Sequence, residues 1–145
     1  MGIIGFTFTK ISAEKKQNAK GKISVTHNIN IDNFEEHKLN LGTDNDKAFK
    51  VNFEFAVVYE PNIGSITLQS EIVALDDKKK VEAALKKWAK DKKLEGDLMA
   101  PLFEFGLKKA RLKALFMAED INLPPPFKLP DISVKPNSVP PAGKK

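Results

Sequence analysis

Few residues in this chain have the type and spacing to do chemistry. Its only histidines are His27 and His37, and it has no cysteine. Neither histidine stands at a metal-ligand spacing, and a closed zinc site would need carboxylates from distant parts of the chain. His27 is expected near the sheet core or at a sheet edge. The acidic pairs Asp44 with Asp46 and Asp76 with Asp77 could form an acid–base couple only if an environment raised one carboxyl pKa, and nothing in the sequence does so. They fit loop acceptors and helix caps more simply. Gly2 and Gly5 open a strand rather than follow one, so they do not make a phosphate-binding loop. No catalytic residue, cofactor or metal ligand is assigned, and the chain is expected not to be an enzyme.

The formal charge of +5 invites a nucleic-acid partner, yet Arg111 is the one arginine among 24 basic residues. Forked base or phosphate contacts need guanidinium geometry, so nucleic acid is not expected as a partner. The absence of cysteine fits a reducing compartment, and the expected location is the cytoplasm. The opening residues alternate like a strand, without the basic start and apolar run of a signal peptide. No stretch approaches the roughly 18 apolar residues of a membrane span, so no membrane insertion is expected.

What remains is a surplus of phenylalanine, ten in 145 residues. Such a surplus can fill an ordinary core, form a homo-oligomer interface, or line a groove for extended apolar peptides. Periodicity alone does not apportion it.

The elements that would position these side chains begin with four runs of two-residue period. The first carries Ile4, Phe6 and Phe8 on one face and Ile11 and Ala13 on the other, with a parity switch near Lys10 that predicts a bulge. The second places Ile23, Val25, His27, Ile29 and Ile31 on one face. The third, Phe49, Val51, Phe53, Phe55, Val57 and Tyr59, adds Ala56 and Val58 on its other face and is expected to be central. Glu60-Pro61-Asn62-Ile63-Gly64 is turn chemistry, leading into Ile66, Leu68, Ile72 and Ala74 as a hairpin. Residues 32–46 read as a loop or a short edge segment.

Two runs of helical period follow. Asp76 and Asp77 can cap a helix with apolar positions Val81, Ala84, Leu85 and Trp88. Gly96-Asp97 starts a longer one through Leu98, Leu102, Phe105, Leu112, Leu115 and Met117, in which Pro101 is expected near the first turn and Gly106 permits close packing. Seven of the nine prolines lie after residue 123 and hold the chain extended. Leu123, Phe127, Leu129 and Ile132 favour a strap laid back over the fold, against a linker or a ligand for an SH3-like domain. The predicted class is α+β: a four-stranded antiparallel sheet, two helices packed on one side, and an extended Pro-rich C-terminal segment.

Three stretches resemble the SecB chaperone family. They are Asp46-Lys47-Ala48-Phe49-Lys50-Val51-Asn52-Phe53-Glu54-Phe55 as its third strand, Ala100-Pro101-Leu102-Phe103-Glu104-Phe105 as the opening of its long helix, and Ile121-Asn122-Leu123-Pro124-Pro125-Pro126 as the segment after it. The last also resembles the ending of archaeal SecB-like proteins. The resemblance spans about residues 3 to 132. It implies a tetramer built as a dimer of dimers, apolar grooves that wrap unfolded polypeptides and deliver them for export, and no cofactor. The family docks its translocase motor through acidic surface, whereas this chain is basic.

The expectation is a SecB-like chaperone domain over residues 1–132, with a flexible Pro/Lys tail at 133–145. It would be a homo-oligomer, dimer or tetramer, whose partners are unfolded polypeptides. On periodicity the client-binding residues are Phe53, Phe55, Trp88, Leu102, Phe103 and Phe105. The alternative is a homo-oligomeric adaptor or structural protein that binds no client.

Overall fold

The computed structural model describes residues 2–40, 42, 45–94 and 96–127. Four strands, β1 (Gly2–Lys15), β2 (Ser24–Glu36), β3 (Asp46–Glu60) and β4 (Gly64–Asp77), precede two helices, α1 (Lys78–Asp91) and α2 (Gly96–Asp120). The strands form one antiparallel sheet in the order β1-β4-β3-β2, so the two most apolar strands are central. This is the α+β class expected from four runs of period two followed by two of period 3.6.

Residues paired directly across strands share a face. Phe49, Val51, Phe53, Phe55 and Val57 of β3 lie opposite Ala74, Ile72, Ser70, Leu68 and Ile66 of β4, and all ten are buried. Both helices cover this face, α1 against β2, β3 and β4 and α2 against β3 and β4. The other face is polar at its centre, where Lys50 lies 3.7 Å from both Glu35 and Glu71 and Gln69 donates to Glu54 at 3.1 Å.

The edge strands depart from simple alternation. In β1 the register slips at Ile4 and Thr9, each an extra residue bulged out of the ladder. Ile3, Phe6, Phe8, Ile11 and Ala13 therefore all pair with the inward positions of β4. The slip at Thr9 is the bulge expected near Lys10, and because each bulge resets parity it brings Ile11 and Ala13 to the face of Phe6 rather than the opposite one, while Ile4 does not share that face. In β2 the extra residue is Asp32. The strand runs past it to Glu36, so residues 32–36 are strand, and Phe34 is buried between Phe49 and Trp88 with ring centroids 5.2 and 6.4 Å away.

The β3–β4 connection is the predicted hairpin. Asn62 takes a φ of 52°, a left-handed conformation that asparagine tolerates better than branched residues. Gly64 is buried for a different reason: a Cβ there would overlap the Glu14 carbonyl oxygen and press on Leu123. Helix α1 is capped by the Asp77 carboxylate, which accepts from Lys79 N and Lys80 N at 3.1 and 3.3 Å. It buries Val81, Ala84 and Trp88 and ends at Lys92, which adopts a φ of 59°. Lys47 lies 3.3 Å from both Glu36 and Glu82, linking β2, β3 and α1.

Helix α2 meets the sheet with a stripe of small residues, Gly106, Ala110 and Ala114, between Leu98 and Leu102 at one end and Met117 and Ala118 at the other. Gly106 is in contact range of Ile72 and Phe53, where a Cβ would stand 3.4 Å from the Ile72 Cδ1. Pro101 lies in the second turn rather than the first, so its missing N–H leaves the Asp97 carbonyl without its helical donor.

After Asn122 at a φ of 57° the chain turns back as a strap. Leu123 N donates to Ala118 O at 2.8 Å, Leu123 and Pro126 are buried, and Tyr59 Oη donates to Pro124 O at 2.7 Å. His27, exposed on the edge strand β2, bonds the Pro126 carbonyl through Nε2. Consecutive prolines present carbonyls and no N–H groups, so side-chain donors are what can hold them. Leu129, Ile132 and the 133–145 tail lie outside the described residues.

Two measurements check this packing. Gly64→Ala should cost about 1–3 kcal/mol by overpacking, read as a lower urea midpoint at unchanged slope. Burial raises the Tyr59 phenol to about 12 from 10.0. Because Tyr59 is the only tyrosine, its ultraviolet absorbance titration should have a midpoint near 12 in the native protein and about 10 in denaturant. The raised folded value means that stability from the neutral phenol is complete below pH 10 and fades as pH climbs towards 12.

Candidate functional site

The six side chains selected by periodicity separate into two groups. Phe53, Phe55, Trp88 and Leu102 are buried within the protomer, and Phe103 and Phe105 are half-buried. Phe53 lies under Gly106 and beside Phe103, with ring centroids 5.8 Å apart. Phe55 faces the His27 ring at 5.9 Å. Phe105 leans towards β1, 5.7 Å from the Phe6 ring, with Lys109 Nζ over both rings at 5.7 and 5.9 Å. The structure therefore brings Trp88 and Phe103 to one groove and sends Phe105 to the opposite edge of the sheet.

That groove, of about 430 Å³, lies between β2 and the junction of the two helices. Ile29, Asn30 and Ile31 form its strand side, and Trp88, Leu94, Met99 and Phe103 its helical side. Lys92 and Lys93 stand at its rim, with Lys92 Nζ 5.6 Å from the Trp88 ring centroid. The bulged Asp32 is close in sequence but interacts with Glu54 of the polar face, and its carboxyl pKa is held above the usual value by burial first and by Glu54 second. The titratable groups lining the groove are thus the two lysines.

A second apolar surface lies on the outside of α2. Leu112 and Phe116 are each 55% exposed, one turn apart on the same side of the helix. Two hollows flank them. One, of about 370 Å³, is lined by Phe116, Glu119, Asn122, Leu123 and Pro125 among others, and the second, of about 450 Å³, by Leu107, Lys108, Arg111, Leu112 and Phe127 among others; Leu115 borders both. The middle of the inward face of α2 is taken by Gly106, Ala110 and Ala114, and the larger Leu112 and Phe116 lie on the outside.

Leu112 is expected from sequence as part of the helix's apolar run, and Phe116 is not singled out at all. The signal that could have found them is the four-residue spacing of Gly106, Ala110 and Ala114, which marks close backbone approach and turns the neighbouring large residues to solvent. Ile29 and Ile31 belong to the second apolar run and Met99 is not singled out; their meeting depends on the sheet order and on the path between the helices.

Among the described residues no group of three or more His, Asp or Glu could hold a metal ion, and no helix is long and apolar enough to cross a membrane. The arrangement offers apolar area rimmed by cations, which is suited to holding a chain by burial.

No family model matches the chain, and no curated protein matches it. A solved structure of the Mycobacterium tuberculosis Rv1957 SecB-like chaperone, in complex with a ChAD peptide from the Rv1956 HigA1 antitoxin, is similar over 90% of this chain and 86% of that one, with a TM-score of 0.52 and 14% identity. Identity at that level speaks to fold alone, and the four-stranded antiparallel sheet followed by two helices is a SecB-like fold.

Proposed function

We propose that this protein is a SecB-like chaperone that holds non-native polypeptides on its apolar surfaces and catalyses no reaction. The observation that carries this is the outward turn of Leu112 and Phe116 on α2, adjacent on one side of the helix and flanked by two hollows with apolar lining. The similar fold of a chaperone solved with a peptide supports the same conclusion. Binding of this kind draws about 25 cal/mol from each Å² of apolar area removed from water. Against it stands the ordering of the client, about 0.5–1.5 kcal/mol for each immobilised flexible side chain. The surplus is small, which suits release as well as capture. In this proposal the protein works in the cytoplasm as a homodimer or homotetramer, and its clients include chains bound for export.

A second reading has its own support: Leu112 and Phe116, one turn apart, could pack against a second copy, leaving an adaptor or structural oligomer with no client surface. The two readings separate in one pair of assays. The chaperone should suppress aggregation of a chemically denatured client when in excess. The double substitution Leu112→Glu with Phe116→Glu should weaken that effect severalfold while changing protomer stability by no more than about 0.5 kcal/mol, as is usual for exposed positions. If the unaltered protein leaves aggregation unchanged, and the substitution only dissociates an oligomer in sedimentation, the adaptor reading replaces the chaperone one.

A further inference from the structure

The groove beside β2 has a chemical character that the outer face of α2 lacks, because it combines apolar walls, a cationic rim and a strand edge that no described residue pairs with. Strand β2 ends the sheet on one side. Its register with β3 is unbroken over residues 24–31 and is first interrupted by the Asp32 bulge. The opposite edge strand, β1, is interrupted twice, at Ile4 and at Thr9. Bulges blunt a strand edge against pairing, so of the two edges the one with the longer regular template is β2.

Ile29 and Ile31 point to the helix-covered face. A strand added outside β2 would direct alternate side chains to that same face, into the space before Trp88, Met99 and Phe103. At the rim, Lys92 and Lys93 follow directly on α1, and among the described residues neither ammonium makes an ion pair. The carboxylate of Asp91, the last residue of α1, lies 3.5 Å from Lys87 Nζ and accepts from Lys93 N at 3.1 Å.

We propose that this groove takes an extended peptide segment in which apolar residues are flanked by aspartate or glutamate, the segment pairing with the outer edge of β2 as a fifth strand. The inference rests on the polypeptide-binding function above and names the class of segment preferred. Backbone pairing holds the segment whatever its sequence, the aromatic walls select apolar side chains at every second position, and the two lysines select acidic neighbours.

Trp88 is the only tryptophan and lines the groove, so its fluorescence reports on this site alone. The probes are short capped peptides with apolar residues at alternate positions: one flanked by aspartates, one with asparagines in their place, and two copies of the acidic one methylated at alternate amide nitrogens in opposite registers. The acidic peptide should change Trp88 emission saturably and bind roughly fivefold tighter than the asparagine peptide at low salt, the size expected for one or two exposed ion pairs. That preference should vanish in the variant carrying Lys92→Asn and Lys93→Gln. One methylated register should lose binding at least about tenfold, a change of 1.4 kcal/mol, and the other should keep it, since only alternate amides of an added strand face β2. Equal binding of acidic and asparagine peptides, or undiminished binding of both methylated peptides, overturns the proposal. Suppressed client aggregation with no Trp88 response overturns it too while leaving the chaperone function standing; failure of both assays ends both.

Discussion

The close approach of α2 to the β3–β4 stripe, through Gly106, Ala110 and Ala114, is the contact on which the rest of the molecule depends. A helix that buries glycine and alanine lies low over the sheet, and Phe53, Phe55, Leu68 and Ile72 fill the layer beneath it. The same choice leaves the helix with an apolar outer side. Burying a Leu or Phe side chain is worth about 1.5–3 kcal/mol, so exposing Leu112 and Phe116 forgoes stability that the protomer alone does not recover. A partner surface can recover it, and this makes the exposed pair informative about function.

Around that contact, polar groups fix where the apolar surfaces end. The Asp77 carboxylate starts α1, Lys47 ties it to β2 and β3, and Lys92 closes it over Trp88. Tyr59 and His27 hold the carbonyls of Pro124 and Pro126, and the strap thereby covers one end of the sheet core. The opposite end is left as a groove between β2 and the helix junction, with lysines at its rim. Among the described residues the two ends thus differ because one is sealed by the chain itself and the other is not.

Much of the framework follows from local pattern. Alternation over residues 49–59 marks the central strand, the Pro61-Asn62 turn marks the hairpin, and the 3.6-residue period at Val81, Ala84 and Trp88 marks a helix against the sheet. Each depends on a residue's near neighbours, so the chain states it directly. The bulge at Thr9 shows in the parity switch near Lys10, whereas those at Ile4 and Asp32 are harder to read, since a single extra residue resets parity without changing composition. Phe34 lies beyond a bulge in a polar stretch that reads equally as a loop or a short edge segment, and the structure makes its first residues the end of the edge strand β2.

The candidate site is less legible than the fold. Hydrophobicity selects Phe53, Phe55 and Leu102 because they are large and periodic, and those properties also place them in the core. Whether a large side chain faces inward or outward on α2 depends on how near the sheet lies, and that distance is set by residues 30 and more positions away in the chain. By itself the sequence determined the order and type of the elements and the excess of apolar side chains, because local sterics and periodicity decide them. Only the tertiary structure decided which of those side chains remain at the surface, because exposure is a property of the packed layers and not of any one element.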